Sequence, residues 1–594
     1  MNKPDKFSNF LDQTFKLDDY EGESKVLDLK EAVSRYVKPG MHIFISDRAN
    51  ALACELIRQY YGQRADFSLI SLVATNQILN LIYCRICNKL ITSSATEIHP
   101  TPGPSKIVQK AYKNKTIDIE NWSLLSLTQR LMAGALGLPF MPTKSIAGTS
   151  MAKDNMDLYV EIYDPFNDES KVGVVKAITP DISLIHAWAA DPKGNVIAAP
   201  YLFSGGDVWG AKASKKGVIV TVENIVPTSF IRENSISVSI PDYMVNCVIL
   251  LPFGAHPQSM PVNFGIPEFE TYSEDYEFSV QRRKASQNNN ELDKWVKKWI
   301  LDCRDHKDYL SMLGSRKLSA LKDKAAGNSW KNSPAPDISL EDSEYNSREH
   351  MVVAASRRLA QLVLKKDYKT ILFGIGTSCL AGYLAYYKLK SMDNDVELWL
   401  GGSGYYGFAP RPSNTVYPAY ADAPTMQTSK MISDVISSYG IFIGGRQKSC
   451  ISVLSSAQVD KYGNLNSTKV SSDSYIIGSG GGNDAVNANE VLLILPQSSH
   501  RLVEDLYYVT CPGTNITTLV TDMGIYQKTD QEFVLTDYFV NPSFTSVNDT
   551  VEKIRKNCGW ELKIAPELNE VLPPSHEELM LLKSFDPKGC FLSR

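Results

Sequence analysis

Short runs of consecutive apolar residues alternate along the chain with longer segments in which apolar positions recur every three or four residues. Uninterrupted Val, Ile and Leu runs are typical of strands buried on both faces, as in parallel sheets covered by helices. Helical patterns follow two of these runs, at 50–61 and 379–390. We therefore predict an α/β fold with largely parallel sheets flanked by helices. The apolar runs lie at 41–46, 182–189, 217–223, 370–376, 396–402, 450–456 and 491–496.

A polar segment at 323–346 divides the chain. It is rich in Lys, Asn, Ser, Pro and Asp and has no continuous apolar face, which indicates a linker. We predict one domain at 1–322, which includes an N-terminal extension of about residues 1–25, and a second domain at 347–594. Each is long enough to have its own hydrophobic core.

A short motif occurs once in each predicted domain. Asp-x-x-Gly-Asn follows an apolar run at 191–195 and again at 460–464. One copy alone would be a turn, in which Asp accepts backbone hydrogen bonds and Gly adopts a positive φ. Two copies in equivalent contexts indicate a duplicated α/β unit, with coincidence as the alternative.

The charge balance excludes some function classes. The chain has 594 residues, with 62 Lys and Arg against 66 Asp and Glu, and a formal net charge of -4. This balance leaves no basic footprint for a nucleic-acid backbone, so we expect no nucleic-acid partner. There is no run of 18 uncharged apolar residues, and the polar, acidic start is unlike a signal peptide. We therefore expect a cytoplasmic protein that makes no membrane contact.

Cysteine and histidine spacing predicts no metal site. The 10 cysteines are scattered, whereas secreted disulfide frameworks are dense. We interpret the pair Cys84 and Cys87 as packing thiols, with a redox pair as the alternative, because no second pair or histidine set completes a zinc site. We interpret His186 as a hydrogen-bonded core histidine and His256, which precedes a proline, as a structural hydrogen-bonding residue. We expect no tightly bound cofactor.

Several motifs follow one another in a recognisable order along the chain. They lie at 137–144, 186–195 and 252–257 in the first half, and at 371–378, 455–468 and 478–491 in the second half. The first set resembles the α subunit, and the second set the β subunit, of family I, glutaconate-type CoA transferases. The resemblance implies that α and β subunits are fused in one chain, folded as two homologous domains that act on an acyl-CoA. Within the family, the chain is most similar to relatives that hydrolyse a steroid ring or decarboxylate 3-methylglutaconyl-CoA.

The resemblance also implies a nucleophile that this chain lacks. Transferases of the family use a glutamate after the second strand of the β half, which attacks the thioester and then carries CoA as a glutamyl thioester. In the matching stretch, 398–407, Gly402 occupies the glutamate position, and its neighbours Gly401, Ser403 and Gly404 offer no carboxylate. Ser403 has no identifiable base beside it. We therefore expect C–C cleavage, hydrolysis or decarboxylation of the thioester instead of CoA exchange.

Glu120 is the candidate catalytic residue. Hydrolase relatives rely on a glutamate in a Glu-Glu-His-Ser stretch, and Glu120 matches one of its two acids, whereas Asn121 and Trp122 replace the other acid and the histidine. As a general base Glu120 would need a raised pKa, which burial beside Trp122 would supply. The alternative is a carboxylate at the start of a helix predicted from about residue 120, where it would favour the helix dipole.

A glycine-rich loop at 478–484 follows a strand-like run. Such a loop lets backbone N–H groups approach an anion or a thioester oxygen. The resemblance implies that this loop borders the CoA cleft, and a tight structural turn is the alternative. The predicted substrate- or CoA-binding residues are Gly401, Gly402, Ser403, Gly404, Gly478, Gly480, Gly481, Gly482, Asn483 and Arg48.

Arg48 lies where relatives commonly have glycine-rich residues that help to build an oxyanion hole. The chain has bulky residues there, at 46–50, which would reshape an acyl pocket. Arg48 could pair with a substrate carboxylate, and a surface arginine is the alternative.

These observations predict an enzyme that acts on an acyl thioester, carried either by CoA or by an acyl carrier protein. Coenzyme A is expected as part of the substrate, and a homo-oligomer is possible. Two alternatives remain open. One is a true CoA transferase that uses another carboxylate, and the other is a catalytically inactive acyl-CoA-binding or scaffold protein.

Overall fold

The structure of the chain is a computed structural model. The described residues are 6–14, 17–198, 205–260, 269–326, 331, 336, 344–412, 423–540 and 546–592. At a few of these positions the backbone alone is described. Most of the predicted linker at 323–346 lies outside the described residues, so the domain boundaries remain predictions.

The first half of the chain contains a large mixed sheet with helices on both sides. Its helices are α1 Lys6–Thr14, α2 Leu29–Tyr36, α3 Asn50–Tyr60, α4 Asn76–Tyr83, α5 Lys106–Lys113, α6 Leu124–Ala135, α7 Ser150–Asp154, α8 Gly206–Lys212, α9 Thr228–Glu233, α10 Tyr276–Ala285, α11 Asn289–Val296, α12 His306–Leu313 and α13 Ser315–Ala325. Its strands are β1 His42–Ile45, β2 Phe67–Ala74, β3 Cys87–Glu97, β4 Gly103–Pro104, β5 Asp118–Asn121, β6 Phe140–Thr143, β7 Tyr159–Asp164, β8 Asn167–Lys176, β9 Ile182–Ala190, β10 Val196–Ile197, β11 Val218–Ile225 and β12 Val245–Leu250.

The second half repeats this architecture. Its helices are α14 Ser347–Lys366, α15 Thr377–Lys390, α16 Ala423–Thr428, α17 Gly482–Ala485, α18 Val547–Lys556 and α19 His576–Phe585, with a π-helix at Ile436–Ile443. Its strands are β13 Thr370–Phe373, β14 Glu397–Leu400, β15 Tyr405–Tyr406, β16 Met431–Ile432, β17 Cys450–Leu454, β18 Gln458–Val459, β19 Leu465–Asn466, β20 Lys469–Ser471, β21 Ser474–Tyr475, β22 Glu490–Ile494, β23 Ile516–Val520, β24 Gly524–Thr529, β25 Glu532–Phe539 and β26 Lys563–Val571.

The two large sheets share one strand order. In the first sheet β2, β1, β9, β11 and β12 are parallel neighbours in that order, and β3 with β5 extends the β2 edge. In the second sheet β14, β13, β17, β22 and β23 are parallel neighbours in the same order. The predicted α/β class with two homologous domains is therefore confirmed, and each predicted apolar run contains a strand of one of these sheets.

The Asp-x-x-Gly-Asn motif forms the same turn in both halves. Asp191 Oδ1 accepts hydrogen bonds from the N–H groups of Gly194 and Asn195, both at 2.8 Å. Asp460 Oδ1 accepts one from Asn464 N, also at 2.8 Å. The motif glycines have positive φ, 107° in the first copy and 82° in the second. Because each turn follows the equivalent strand, β9 or β17, the motif supports duplication of one α/β unit.

The two halves are packed together through shared hydrophobic residues. One core cluster contains Leu124 and Leu125 at the start of α6 together with Leu372 and Tyr439 of the second half. The first turn of α6 therefore lies at the junction of the two halves. The predicted helix start near residue 120 is wrong, because residues 118–121 form β5 and the helix begins at Leu124.

Candidate functional site

The glycine-rich loop of the second half is hydrogen-bonded to the first half. Gly480 N donates to Ser93 O on β3 at 2.9 Å, and Gly480 O accepts from Leu124 N at 3.0 Å. Ala95 N donates to Ile477 O at 2.9 Å. The loop therefore joins the carboxyl end of β3 to the start of α6, at the junction of the two halves.

The loop leaves two of its amides for a ligand. The N–H groups of Gly478, Gly480 and Gly482 donate to backbone carbonyls of the protein. Among the described residues, the N–H groups of Ser479 and Gly481 have no acceptor. Two neighbouring donors of this kind are the arrangement that holds an anion or a developing oxyanion.

Gly401 and Gly402 follow strand β14 directly, and their surroundings differ. A Cβ at Gly401 would lie 2.5 Å from Tyr439 Oη and 2.7 Å from Leu372 Cδ1, so that position requires glycine. A Cβ at Gly402 would have one neighbour within 4 Å, Leu124 Cδ1 at 3.4 Å. Gly402, which the resemblance places at the nucleophile position, therefore has room for a Cβ, and its match to that position stays a prediction.

The other two glycine-stretch candidates are less informative about chemistry. Gly404 has a φ of 68°, and a Cβ there would collide with Ser433 O. The backbone conformation therefore requires glycine at this position. The side chain of Ser403 lies outside the described part of the structure.

Tyr439 connects the two glycine stretches, and no motif in the sequence indicated it. Its ring and hydroxyl lie where a Cβ of Gly401 or of Gly481 would be. Tyr439 lies on the π-helix at Ile436–Ile443 and is buried, which raises the pKa of its hydroxyl. It is therefore a neutral hydroxyl at the junction.

Glu120 is held by cations. Its Oε1 accepts from Arg130 Nη1 at 2.7 Å and from Trp122 Nε1 at 2.8 Å, and its Oε2 lies 2.8 Å from Lys89 Nζ. Burial acts to raise the pKa of Glu120, but the Arg130 charge and the hydrogen bonds from Lys89, Trp122 and Arg130 outweigh it and lower that pKa. The expected raised pKa is therefore wrong. The N-terminal helix position is also wrong, because Ser123 is the cap of α6 and accepts from Ser126 N at 3.0 Å.

Asn121, the last residue of β5, lies beside the glycine-rich loop. Its Oδ1 accepts from Tyr475 Oη at 3.1 Å, and a Cβ at Gly478 would lie 3.0 Å from that oxygen. Its Nδ2 is buried and has no hydrogen-bond partner among the described residues. Sequence reasoning treated Asn121 only as the loss of an acid, whereas it is a polar group at the loop.

Asn483 and Asp484 fix the end of the loop to the first half. Asn483 Oδ1 accepts from Ile146 N at 2.8 Å. Asp484 accepts from Leu125 N at 3.0 Å and from Ser145 Oγ at 2.7 Å. Burial raises the pKa of Asp484 to about 6. Sequence reasoning missed Asp484, and its position inside the Gly-rich motif was the available signal.

Arg48 is buried, so its interpretation as a surface arginine is wrong. It is 2% exposed, and its Nε donates to Ser259 O at 2.9 Å. The preceding residue, Asp47, accepts from Gln258 Nε2 at 3.1 Å. Whether Arg48 pairs with a substrate carboxylate stays a prediction.

Asp47 and Asp207 form a pair of acids that the sequence did not reveal. They line a small cavity at the carboxyl end of β1 and β2, together with Phe44, Leu72 and Val73. Burial raises the pKa of both acids, and the charge of Asp47 raises that of Asp207 further. An acid whose pKa is raised in this way can take up or release a proton near neutral pH, which suits acid–base chemistry.

Two hydrogen bonds of Ser93 connect this cavity to the glycine-rich loop. Ser93 Oγ donates to Leu72 O at 2.5 Å, and Ser93 O accepts from Gly480 N at 2.9 Å. Ser93 therefore links a residue that lines the cavity to the loop of the second half.

The two histidines have protein partners. His186 bonds to Thr221 Oγ1 at 2.9 Å and to Glu223 Oε1 at 2.7 Å, which confirms a hydrogen-bonded core histidine. His256 bonds to Tyr309 Oη at 2.5 Å and to Asp275 Oδ2 at 3.1 Å, in line with a structural role.

Within the described ranges, no group of three or more His, Cys, Asp or Glu side chains is arranged to hold a metal ion. None of the helices in those ranges combines the length and apolar composition that crossing a bilayer requires. Cys84 and Cys87 are free thiols, and burial raises the pKa of each to about 12. These thiols are therefore protonated at neutral pH, as expected for packing residues.

Comparison with known proteins gives matches to both subunits of one kind of enzyme. Residues 26–250 match the family model described as Coenzyme A transferase. The first subunit of the glutaconate CoA-transferase from Acidaminococcus fermentans is 29% identical over 331 residues, which cover 50% of this chain and 95% of that protein. The second subunit of the 3-oxoadipate CoA-transferase from Pseudomonas knackmussii is 28% identical over 270 residues, which cover 41% of this chain and 95% of that protein.

A solved structure has the same fold over nearly the whole chain. The acyl-CoA transferase from Escherichia coli O157:H7 superposes with a TM-score of 0.62, covering 95% of this chain and 97% of that chain. The two are 17% identical, so this likeness concerns the fold alone.

Proposed function

Because residues 26–250 match the Coenzyme A transferase model and the two halves match transferase subunits, we propose that this chain binds an acyl thioester at the junction of its halves and converts it without CoA exchange. The reaction class is C–C cleavage, hydrolysis or decarboxylation. CoA is the carrier that the family favours, and an acyl carrier protein would present the same thioester chemistry.

Gly402 carries this proposal. Exchange through a glutamyl thioester needs a carboxylate that attacks the acyl carbon and later leaves it. Gly401 and Gly402 both lack a side chain, and the space beside Gly402 is bounded by Leu124. That space then accommodates part of the acyl group, and the covalent route is closed.

The amides of Ser479 and Gly481 are the proposed donors to the thioester oxygen. They belong to the loop that joins the two halves, and they have no acceptor among the described residues. Donors aimed at the oxygen stabilise the charge that develops there, in an enolate after C–C bond cleavage or in a tetrahedral intermediate during hydrolysis.

Asp207 is the proposed proton acceptor and donor. It is half-buried, whereas Asp47 and Asp484 are buried. Its pKa is raised by burial, while that of the half-buried Glu120 is lowered. In hydrolysis, a water proton passes to its carboxylate, the water oxygen bonds to the acyl carbon, and the C–S bond breaks. The thiolate then takes the proton. Glu120 stays a second candidate, although two cations and Trp122 already engage its carboxylate.

Incubation with dicarboxylic and cyclic acyl-CoAs, with and without free acids as CoA acceptors, tests the reaction class. Mass spectrometry of the products should detect free CoA, shortened acyl-CoA or carbon dioxide, and no CoA ester of the acceptor acid. Transfer of CoA to the acceptor would contradict the proposal. Binding without turnover across the panel would instead favour an inactive binding protein.

Asp207→Asn tests the proton-transfer role. A general base contributes on the order of a hundredfold or more, so the variant should lose about that factor in kcat. The exposed acid Asp302 provides a matched control, because Asp302→Asn should leave kcat unchanged. Full activity of Asp207→Asn would remove Asp207 from the mechanism and leave the reaction class standing.

A further inference from the structure

A cleft on the outside of the first half has no role in the proposed reaction. Its volume is 740 Å³, and we call it the basic cleft. It lies between α5, the ends of α3 and α4, and the turn at 286–289 that joins α10 to α11. This volume is in the range of small-molecule sites.

The rim of the basic cleft is positively charged. Lys106, Lys110 and Lys113 follow one another at helical spacing, so they lie on one face of α5, and Arg85 lies just after the end of α4. Among the described residues, the charge of Lys113 also acts on the carboxylate of Asp473 in the second half. Four cations at one concave surface attract an anion more strongly than scattered surface lysines do.

The carboxylate of Asp293 supplies one negative charge against the four positive charges of the rim. It is the acidic group among the residues that line the cleft, and its Oδ1 accepts from Tyr83 Oη at 2.7 Å. The lining therefore keeps an excess of positive charge.

The floor of the basic cleft is apolar. Ile82, Ile107 and Leu292 are buried beneath it, and the ring of Tyr61, which is 49% exposed, provides open apolar surface together with Tyr83. An inorganic anion alone would leave this surface uncovered. A ligand that joins phosphate groups to a flat ring covers it and meets the rim cations at the same time.

We infer that the basic cleft binds a small phosphate-bearing ligand of the nucleotide type. Lys106, Lys110, Lys113 and Arg85 hold its phosphates, and the apolar floor packs against its ring. This inference concerns binding at the cleft alone and stands or falls independently of the reaction at the glycine-rich loop.

The helix that carries the lysines also touches the proposed thioester site. Tyr112 on α5 packs with its ring centroid 5.6 Å from that of Tyr475, and Tyr475 Oη donates to Asn121 Oδ1 at 3.1 Å. A ligand at the basic cleft therefore contacts a helix that supports the glycine-rich loop.

Titration calorimetry with ADP, ATP and inorganic pyrophosphate tests the inference on the full chain. ADP should bind saturably, more tightly than pyrophosphate, and more weakly as salt rises, because exposed charges are screened. No saturable binding of ADP or ATP would overturn the inference. Equal affinity for ADP and pyrophosphate would also overturn it, because the apolar floor would then have no part.

Charge reversal on α5 locates the ligand. The double variant Lys106→Glu, Lys110→Glu should weaken ADP binding by about tenfold or more, since attraction becomes repulsion. The exposed Lys388→Glu on α15 is the control and should bind ADP as the native chain does. The neutral pair Lys106→Gln, Lys110→Gln should give a smaller loss, and circular dichroism verifies that each variant is folded.

Photolabelling separates the basic cleft from the thioester site. An azido-adenine nucleotide should label peptides that contain α4, α5 or α11. Labelling confined to the glycine-rich loop, or identical ADP affinity in the charge-reversed and control variants, would contradict the inference.

Discussion

Glu120 and Asp484 are both carboxylates at the junction, and their surroundings shift their pKa values in opposite directions. Glu120 meets Arg130 and Lys89, which lower its pKa against the effect of burial. Among the described residues, Asp484 accepts from neutral donors such as Leu125 N and Ser145 Oγ, so burial raises its pKa to about 6. Partner charge, more than burial, decides which form of a buried acid is stable.

Glu120→Gln should destabilise the fold. The change leaves the buried Arg130 without its counter-charge; the two side chains are 4% and 10% exposed. Removing one partner of such a pair costs about 3 kcal/mol in the free energy of unfolding, measurable by chemical denaturation. Glu567→Gln, at an exposed position, should cost nothing measurable. Native stability of the Glu120 variant would show that this ion pair is not stabilising.

The lowered pKa of Glu120 also makes the stability of the fold depend on pH. A carboxylate whose folded-state pKa lies below its unfolded value stabilises the fold above the unfolded pKa, and this stabilisation is lost as pH falls through the folded pKa. The gap in stability between native chain and Glu120→Gln should therefore narrow in acid.

Asp484 should have the opposite effect on how stability changes with pH. Its folded pKa of about 6 lies above the unfolded value of about 3.9, so stability falls as pH rises between these values. The cost at neutral pH is about 2 to 3 kcal/mol by the same relation. Denaturation curves of native and Asp484→Asn chains over this window should diverge by that amount, and parallel curves would contradict the raised pKa.

At the scale of elements, the loop after β14 contains two adjacent glycines with different roles. Gly401→Ala places a methyl group against Tyr439 Oη and Leu372, whereas Gly402→Ala meets only Leu124 at 3.4 Å. We expect Gly401→Ala to lose on the order of 2 kcal/mol of stability, as overpacking does, and Gly402→Ala to lose little. Thermal unfolding of the matched pair measures this, and equal melting temperatures would contradict the geometry.

The parallel strands could be predicted because their residues alone identify them. β1, β9, β11, β13, β17 and β22 are buried on both faces, so their apolar runs are continuous whatever packs against them. β5 could not be predicted in this way. Its sequence, Asp-Ile-Glu-Asn, is polar, and it is a strand because it pairs with β3, where Ile91 aligns with Glu120.

The candidate site was predicted only in part, for a related reason. The glycine stretches are local motifs, and the sequence identified them. The partners that set the chemistry are distant along the chain: Asp484 bonds to Leu125 and Ser145, and Gly480 bonds to Ser93. Asp207 joins Asp47 through the fold and not through any motif. Long-range packing decides these contacts, and no single stretch of sequence contains them.

For the whole molecule, duplication explains why the site lies at a junction. Strands β2 and β14 hold equivalent places in the two sheets, and the glycine-rich loop of the second half bonds to β3 of the first half's sheet. Two sheets joined by one core cluster leave the loop little freedom, which suits donors that must hold a reacting oxygen in place. The proteins that match the two halves are named as separate subunits, and here one chain contains both halves.

The intact mass of the protein after incubation with acyl-CoA and borohydride tests most directly whether the chain converts the thioester without CoA exchange. The native chain should keep its mass while acyl-CoA is consumed, because Gly402 cannot form an acyl-enzyme or a glutamyl thioester. Gly402→Glu, whose side chain has room beside Leu124, should give a reducible adduct and serves as the positive control. A reducible CoA adduct on a carboxylate of the native chain would contradict conversion without CoA exchange.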